Sequence, residues 1–83
     1  YNGPGIRVLN SAATEQFSFM IPAGTSLQSA RLYNSFAQQV PVRFTNAGAN
    51  LLQADIRHLP SGIYILEVLA GNKRYTEKIL VIK

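Results

Sequence analysis

The chain has 83 residues, with eight Lys and Arg against four Asp and Glu, one His, no Cys and no Trp. That length makes one small domain with a thin core, and the lack of Cys excludes disulfides, iron–sulfur clusters and thiolate zinc sites. With 47% apolar and only 14% charged residues, the composition is that of a folded β-rich domain and not of a disordered tail.

In chain order, period-2 alternation dominates and no helical period is sustained. Asn2-Gly3-Pro4-Gly5 is rich in turn residues, so residues 1–5 read as the end of a linker and residues 6–83 as a single domain. Residues 6–9 read as a first strand. Phe17, Phe19 and Ile21 alternate with Ser18 and Met20 in a second, stopped by Pro22 and the turn through Gly24. Residues 27–34 form a third. Val40, Val42 and Phe44 alternate with Pro41, Arg43 and Thr45 in a fourth, placed at a sheet edge because Pro41 cannot donate to a ladder. Residues 46–50 are a turn. Leu52, Ala54 and Ile56 alternate with Gln53, Asp55 and Arg57 in a fifth, and residues 59–62 turn into the last two strands, 63–70 and 73–83. Short strands at this spacing predict an all-β fold, an immunoglobulin-like antiparallel β-sandwich of about seven strands.

The final hairpin can be read to its register. Gly71-Asn72 suits a two-residue turn, since both residues tolerate positive φ. Val68 then faces Tyr75, Tyr64 faces Ile79 and Ile63 faces Leu80. One face, with Tyr64, Leu66, Val68, Tyr75, Ile79 and Val81, belongs to the core. Glu77 is the misfit on that face and is expected at a rim or against a cation. The other face mixes Glu67, Arg74, Thr76 and Lys78 with Ile63, Ile65, Leu69, Leu80 and Ile82. It is too apolar for an ordinary solvent face, and reads either as partly covered or as a patch awaiting a partner.

Little of this is catalytic. His58 is the lone imidazole, no Ser sits in a Gly-x-Ser-x-Gly elbow, and the four carboxylates give no metal or acid–base spacing. No phosphate-binding loop or dinucleotide fingerprint is present, and no cofactor is expected. The cations Lys73, Arg74, Lys78 and Lys83 cluster near the end without a stacking array of aromatics, so nucleic acid is not an expected partner. The longest aliphatic or aromatic run, residues 63–66, is far short of the ~20 residues of a membrane helix. No leader is visible, and a start at Tyr1 without Met reads as an excised domain.

Three stretches carry a resemblance: Ala30-Arg31-Leu32-Tyr33-Asn34-Ser35-Phe36-Ala37-Gln38-Gln39-Val40, then Ala54-Asp55-Ile56-Arg57-His58-Leu59-Pro60-Ser61-Gly62-Ile63-Tyr64-Ile65-Leu66-Glu67-Val68, then Lys73-Arg74-Tyr75-Thr76-Glu77-Lys78-Ile79-Leu80-Val81-Ile82-Lys83. Their order resembles the C-terminal sorting domains of the type IX secretion system of Bacteroidetes, the family that includes gingipain cargo tails. The matching positions are Leu32, Tyr33, Asn34, Val40, Leu59, Gly62, Tyr64, Lys73 and Thr76, whose expected role is mainly structural. Gly62 would suit a tight turn, and Tyr64 would bury its ring while its hydroxyl finds a partner. The chain departs from the family at Ala37-Gln38, where a Gly before an Arg is usual, and at Asn10-Ser11-Ala12-Ala13, where a Pro-Asn-Pro is common.

The resemblance implies a non-catalytic secretion signal. Its partners would be the type IX outer-membrane translocon and shuttle proteins, a sortase, the upstream cargo and anionic lipopolysaccharide. The segment expected to be recognised is Lys78, Ile79, Leu80, Val81, Ile82 and Lys83, bound in extended form at a sheet edge. The implied route runs through the periplasm to the cell surface or the medium, with cleavage near residues 1–5. An exposed terminal strand also gives a second copy an edge to pair with. The rival readings are an uncleaved docking domain of the same machinery and a carbohydrate-binding or adhesive module using Tyr1, Tyr33, Phe36 and Tyr75.

Overall fold

A computed structural model describes residues 5–9 and 12–83. Its strands are β1 (Arg7–Val8), β2 (Ala12–Ala13), β3 (Gln16–Met20), β4 (Leu27–Tyr33), β5 (Gln39–Val40), β6 (Arg43–Gly48), β7 (Leu51–Asp55), β8 (Gly62–Ala70) and β9 (Lys73–Val81). A four-stranded sheet, ordered β1-β3-β7-β6, packs on a five-stranded sheet, ordered β2-β9-β8-β4-β5. All pairings are antiparallel except β2 with β9. This is the immunoglobulin-like Greek key. The first, second, fifth and fourth principal strands share one sheet, the third, sixth and seventh share the other, and the short β2 runs parallel with the last strand.

Alternation builds the core. Phe17 and Phe19 of β3 and Ala54 of β7 point in from one sheet, Leu32, Leu66, Val68, Ile79 and Val81 from the other, and all are essentially buried. Phe19 meets Phe44 of β6 edge-on, with centroids 6.1 Å apart. That geometry adds electrostatic preference to the buried area.

The strand count exceeds the expected seven for two reasons. The segment 40–45, read as one strand, is broken at Pro41. Val40 pairs with Leu32 in the five-stranded sheet and Phe44 with Ala54 in the other, so the chain crosses between sheets through Pro41-Val42. Both fragments are edge strands, as the proline requires. The second addition is β2, too short and too weakly patterned to be seen in sequence.

Boundaries shift for local reasons. β6 runs on to Gly48, pairs it with Leu51, and so leaves Ala49-Asn50 as the turn, with Asn50 at φ 61. β7 stops at Asp55, whose carboxylate accepts from the Arg57 backbone N–H at 3.1 Å and turns the chain. β9 stops at Val81 and not at Lys83. Of the linker end expected at residues 1–5, residues 1–4 lie outside the described residues, as do the aromatic at Tyr1 and the departure at Asn10-Ser11.

Candidate functional site

The C-terminal hairpin has the register read from sequence: Val68 faces Tyr75, Tyr64 faces Ile79 and Ile63 faces Leu80. Gly71 and Asn72 take φ 58 and 64, the doubly left-handed turn that matches strand twist. Asn72 is also held from β4. Its N–H donates to Gln28 Oε1 at 3.2 Å and its Oδ1 accepts from Gln28 Nε2 at 3.0 Å. Gln28 sits where β4 slips register against β8, so the bulge aims its side chain at the turn. Tyr75 is half-buried against the core and Glu77 is exposed, the rim position expected of it.

Within the expected recognition segment, alternation splits the residues into two sets. Ile79 and Val81 are buried among the core side chains. Lys78, Leu80 and Ile82 face out, with Leu80 41% and Ile82 49% exposed. Lys83 closes the segment. Its backbone N–H donates to Ser61 Oγ at 2.9 Å. Its Nζ donates to the carbonyls of Thr14 at 2.5 Å, Ile56 at 3.0 Å and Arg57 at 3.2 Å. An ammonium has three protons, and each is used. The end of β9 is thereby fastened to the loops before β3 and after β7.

The outer face of the five-stranded sheet is graded in rows. Toward the hairpin turn, Thr76 faces Glu67 and Glu67 faces Arg31. Glu67 lies 3.6 Å from Arg74 and 4.0 Å from Arg31, so this half is charged, with both arginines drawn to one carboxylate. In the next row, Lys78 faces Ile65, Ile65 faces Tyr33 and Tyr33 faces Gln39. Beyond it Leu80 faces Ile63. Ile63 and Ile65 are 49% and 36% exposed, so the face read as too apolar for solvent is open, not covered.

The turn after β4 borders this apolar half. Asn34 organises it: Oδ1 accepts from the N–H of Phe36 at 2.9 Å and of Gln38 at 3.0 Å, while its own N–H donates to the Gln38 carbonyl at 2.9 Å. Ala37 then sits at φ 62, in the left-handed region, at the position where the resembling sequences carry Gly. An alanine here bears the cost of the left-handed conformation. Phe36 is 81% exposed. Tyr33, Asn34, Ser35, Ala37 and Ile65 line an open groove of about 480 Å³.

The other motif residues, expected to be mainly structural, differ in how far they are buried. Leu32 and Leu59 are buried, and Val40 packs on the core. Tyr64 Oη donates to the Pro60 carbonyl at 2.8 Å, the tyrosine corner by which sandwiches of this type pin the turn before that strand. Gly62 does not need to be glycine. It lies outside the left-handed region, and a Cβ there would meet only Tyr64 Cε1 at 3.8 Å. The turn is instead closed by the Tyr64 bond and by the Leu59 N–H on the Ile56 carbonyl at 3.1 Å. Lys73 and Thr76 are exposed, opposite Ala70 and Glu67.

The outer face of the four-stranded sheet holds the shortest ion pair among the described residues. Arg57 donates to both Asp55 oxygens, from Nε at 3.1 Å and from a terminal nitrogen at 3.0 Å. Those bonds, with the Arg57 N–H, lower the Asp55 carboxyl to about 2, and the Asp55 carboxylate raises Arg57 in turn. His58 is exposed, with Nε2 2.6 Å from the Pro41 carbonyl, and forms no dyad with Asp55. Among the described residues no three His, Asp or Glu side chains converge as metal ligands. Of the aromatics considered for a sugar platform, Tyr75 is turned toward the core, which leaves Tyr33 and Phe36 together on the open face.

The sequence places a turn at residues 34–38, but the Lys83 fastening and the Asn34 side-chain bonds that close that turn were missed. The first joins residues far apart in the chain and leaves no local pattern. The second was visible as an Asn followed by turn formers, a combination that favours side-chain-to-backbone bonding. A search of curated proteins returned no match. The family model for the secretion system C-terminal sorting domain matches residues 12–83, from β2 through the end of β9. The fold over these residues and the motif stretches within residues 30–83 agree with that match, and the chain belongs to the C-terminal sorting domains of the type IX secretion system, whose members direct export through the outer membrane.

Proposed function

We propose that this domain is a non-catalytic signal, recognised as a folded unit, that takes an upstream cargo from the periplasm through the type IX outer-membrane translocon. The cargo would reach the periplasm by an ordinary signal peptide. Shuttle proteins and a sortase then act on it, the sortase removing the domain near residues 1–5 and joining the cargo to anionic lipopolysaccharide. The observation that carries this reading is the family match across residues 12–83, which includes the whole terminal strand. The alternation along β9 supports recognition of the outward set, Lys78, Leu80 and Ile82, since Ile79 and Val81 are committed to the core.

The test is export of a periplasm-directed fluorescent reporter fused to residues 1–83, in a Bacteroidetes host with and without a working translocon. Three domains are compared: intact, lacking residues 79–83, and carrying Leu80→Ser. Truncation removes core residues and can unfold the sandwich, so the point variant is the cleaner arm. Translocon-dependent export of the intact fusion, lost in both variants, supports the assignment. Retention of a folded intact fusion in the periplasm overturns it, and would favour the carbohydrate-binding module. Surface display with the domain still attached would favour the uncleaved docking domain.

A further inference from the structure

We propose that the apolar half of the outer face of the five-stranded sheet is a docking surface for a protein that sets an apolar side chain in the Tyr33–Ile65 groove and a carboxylate on Lys78. This rests on the sorting assignment and names the chemistry of the partner.

The observations converge on one row of the sheet. Lys78, Ile65 and Tyr33 are direct cross-strand neighbours, so their side chains stand side by side on the outer face. The groove lies at the Tyr33 side of this row, under the turn that Asn34 fixes. Leu80 and Ile63 extend the apolar surface one row on. A second hollow of about 210 Å³ lies between Phe36 and Ile63, so the apolar ground continues to the far side of that turn. The core does not need these residues: their neighbours in the chain, Tyr64, Leu66, Ile79 and Val81, supply the buried face.

Charge selects the occupant. Arg31 and Arg74 are occupied by Glu67, whereas Lys78 has no ion-pair partner among the described residues. The face as a whole carries three cations, Arg31, Arg74 and Lys78, against the single anion Glu67. A second copy docked face to face would bring together two faces that each carry three cations against one anion, which is unfavourable. A membrane surface asks for several free cations, and here one is free. A single cation beside a bounded groove instead fits one carboxylate next to one apolar anchor, the arrangement of a protein hot spot.

The measurement is binding of the purified domain–reporter fusion to the purified translocon of a type IX host, alongside export in that host. The variants are Ile65→Ser, Lys78→Glu, Lys78→Met and, on the opposite face, Thr45→Lys. Thermal melting of each establishes that it is folded. Ile65→Ser is expected to weaken binding about tenfold. Lys78→Glu should weaken it by about tenfold or more, with Lys78→Met intermediate and the wild-type affinity falling as salt rises. Thr45→Lys should match wild type. Wild-type export with face variants equal to it overturns the docking surface and leaves the sorting assignment standing. Equal binding by Lys78→Met and wild type overturns the carboxylate. Adsorption to phosphatidylglycerol vesicles that Lys78→Glu abolishes, or a dimer by light scattering that Ile65→Ser dissolves, assigns the face to lipid or to a second copy and overturns the protein partner. Failure of the intact domain both to bind and to be exported overturns the sorting assignment and the docking surface with it.

Discussion

The two sheets fill one core between them but turn very different faces outward. On the four-stranded sheet, the rows Arg43–Asp55–Gln16 and Thr45–Gln53–Ser18 present polar side chains across three strands. On the five-stranded sheet, the corresponding ground holds Lys78–Ile65–Tyr33 and Leu80–Ile63. Both sheets supply buried apolar side chains to the core, so the demands of folding do not explain the difference. An exposed aliphatic row adds little stability and invites association, whereas a polar row does not. The contrast separates what the sandwich needs to fold from what it keeps for a partner.

Adjacent residues on β9 give the sharpest way to break that contrast. Ile79 points into the core and Leu80 out of it. Ile79→Ala should cost about 2–4 kcal/mol, because it removes buried methyl groups and leaves a cavity. At this size each kcal/mol lowers the melting temperature by about 4–8 °C. Leu80→Ser should stay within about 0.5 kcal/mol of wild type in denaturant melts, yet lose export. If Leu80→Ser melts like Ile79→Ala, the outer face is structural and the division between the two sets of residues fails.

Much of this division is legible in the sequence, and the reasons are local. The Gly71-Asn72 turn fixes the hairpin register, and once it is fixed strict alternation assigns every side chain of β8 and β9 to a face. Glu77 is placed at a rim by the same logic. The crossing at Pro41-Val42 is not legible, because period-2 alternation continues unbroken through a chain that changes sheets. Nor is β2, whose two alanines carry no pattern. Lys83 reads as the last residue of the expected recognition segment, and nothing local shows the three carbonyls that the fold brings to it. The outward apolar set is readable as a list, but its groove depends on the turn that Asn34 and Ala37 build.

That turn offers the next largest effect. Asn34→Ala leaves the Phe36 and Gln38 N–H groups without their acceptor and should cost about 1–2 kcal/mol. Asn34→Asp keeps the acceptor and should lie within about 0.5 kcal/mol of wild type. Ala37→Gly should stabilise by about 0.5–1 kcal/mol, since relief of the left-handed strain outweighs the added freedom of the unfolded chain. Chemical denaturation of the three variants checks the order. A destabilising Ala37→Gly would mean that Ala37 does not hold the positive φ in solution.

A smaller effect belongs to Lys83, which ties the end of the apolar-faced sheet to loops of the polar-faced one. Lys83→Met keeps the aliphatic stem and loses the three carbonyl contacts, at a cost of about 0.5–1 kcal/mol for so exposed a group. Hydrogen exchange should then quicken at the end of β9 and in the loop after β7, and leave the Gly71-Asn72 turn unchanged. Quickening at both ends of the hairpin would show that the lysine acts on global stability and not as a local fastening.

The smallest effect, and the one that tests the polar face by itself, is the titration of Asp55. Its carboxyl is lowered to about 2 by the Arg57 side chain and backbone N–H. A carboxyl held lower in the folded state than in the unfolded one contributes stability above its unfolded value, near 3.9, and loses that contribution as pH falls through the folded value. The Asp55–Arg57 pair therefore remains formed through mild acid and opens between about pH 4 and pH 2. Carboxyl-carbon NMR should give Asp55 a midpoint at about 2 in the wild type, and Arg57→Gln should move it upward toward ordinary values. Export at neutral pH should be the same in both, because this pair lies on the sheet face opposite Lys78 and Leu80. An Arg57→Gln variant that stays folded but loses export would transfer recognition to the polar face and reverse the contrast between the sheets.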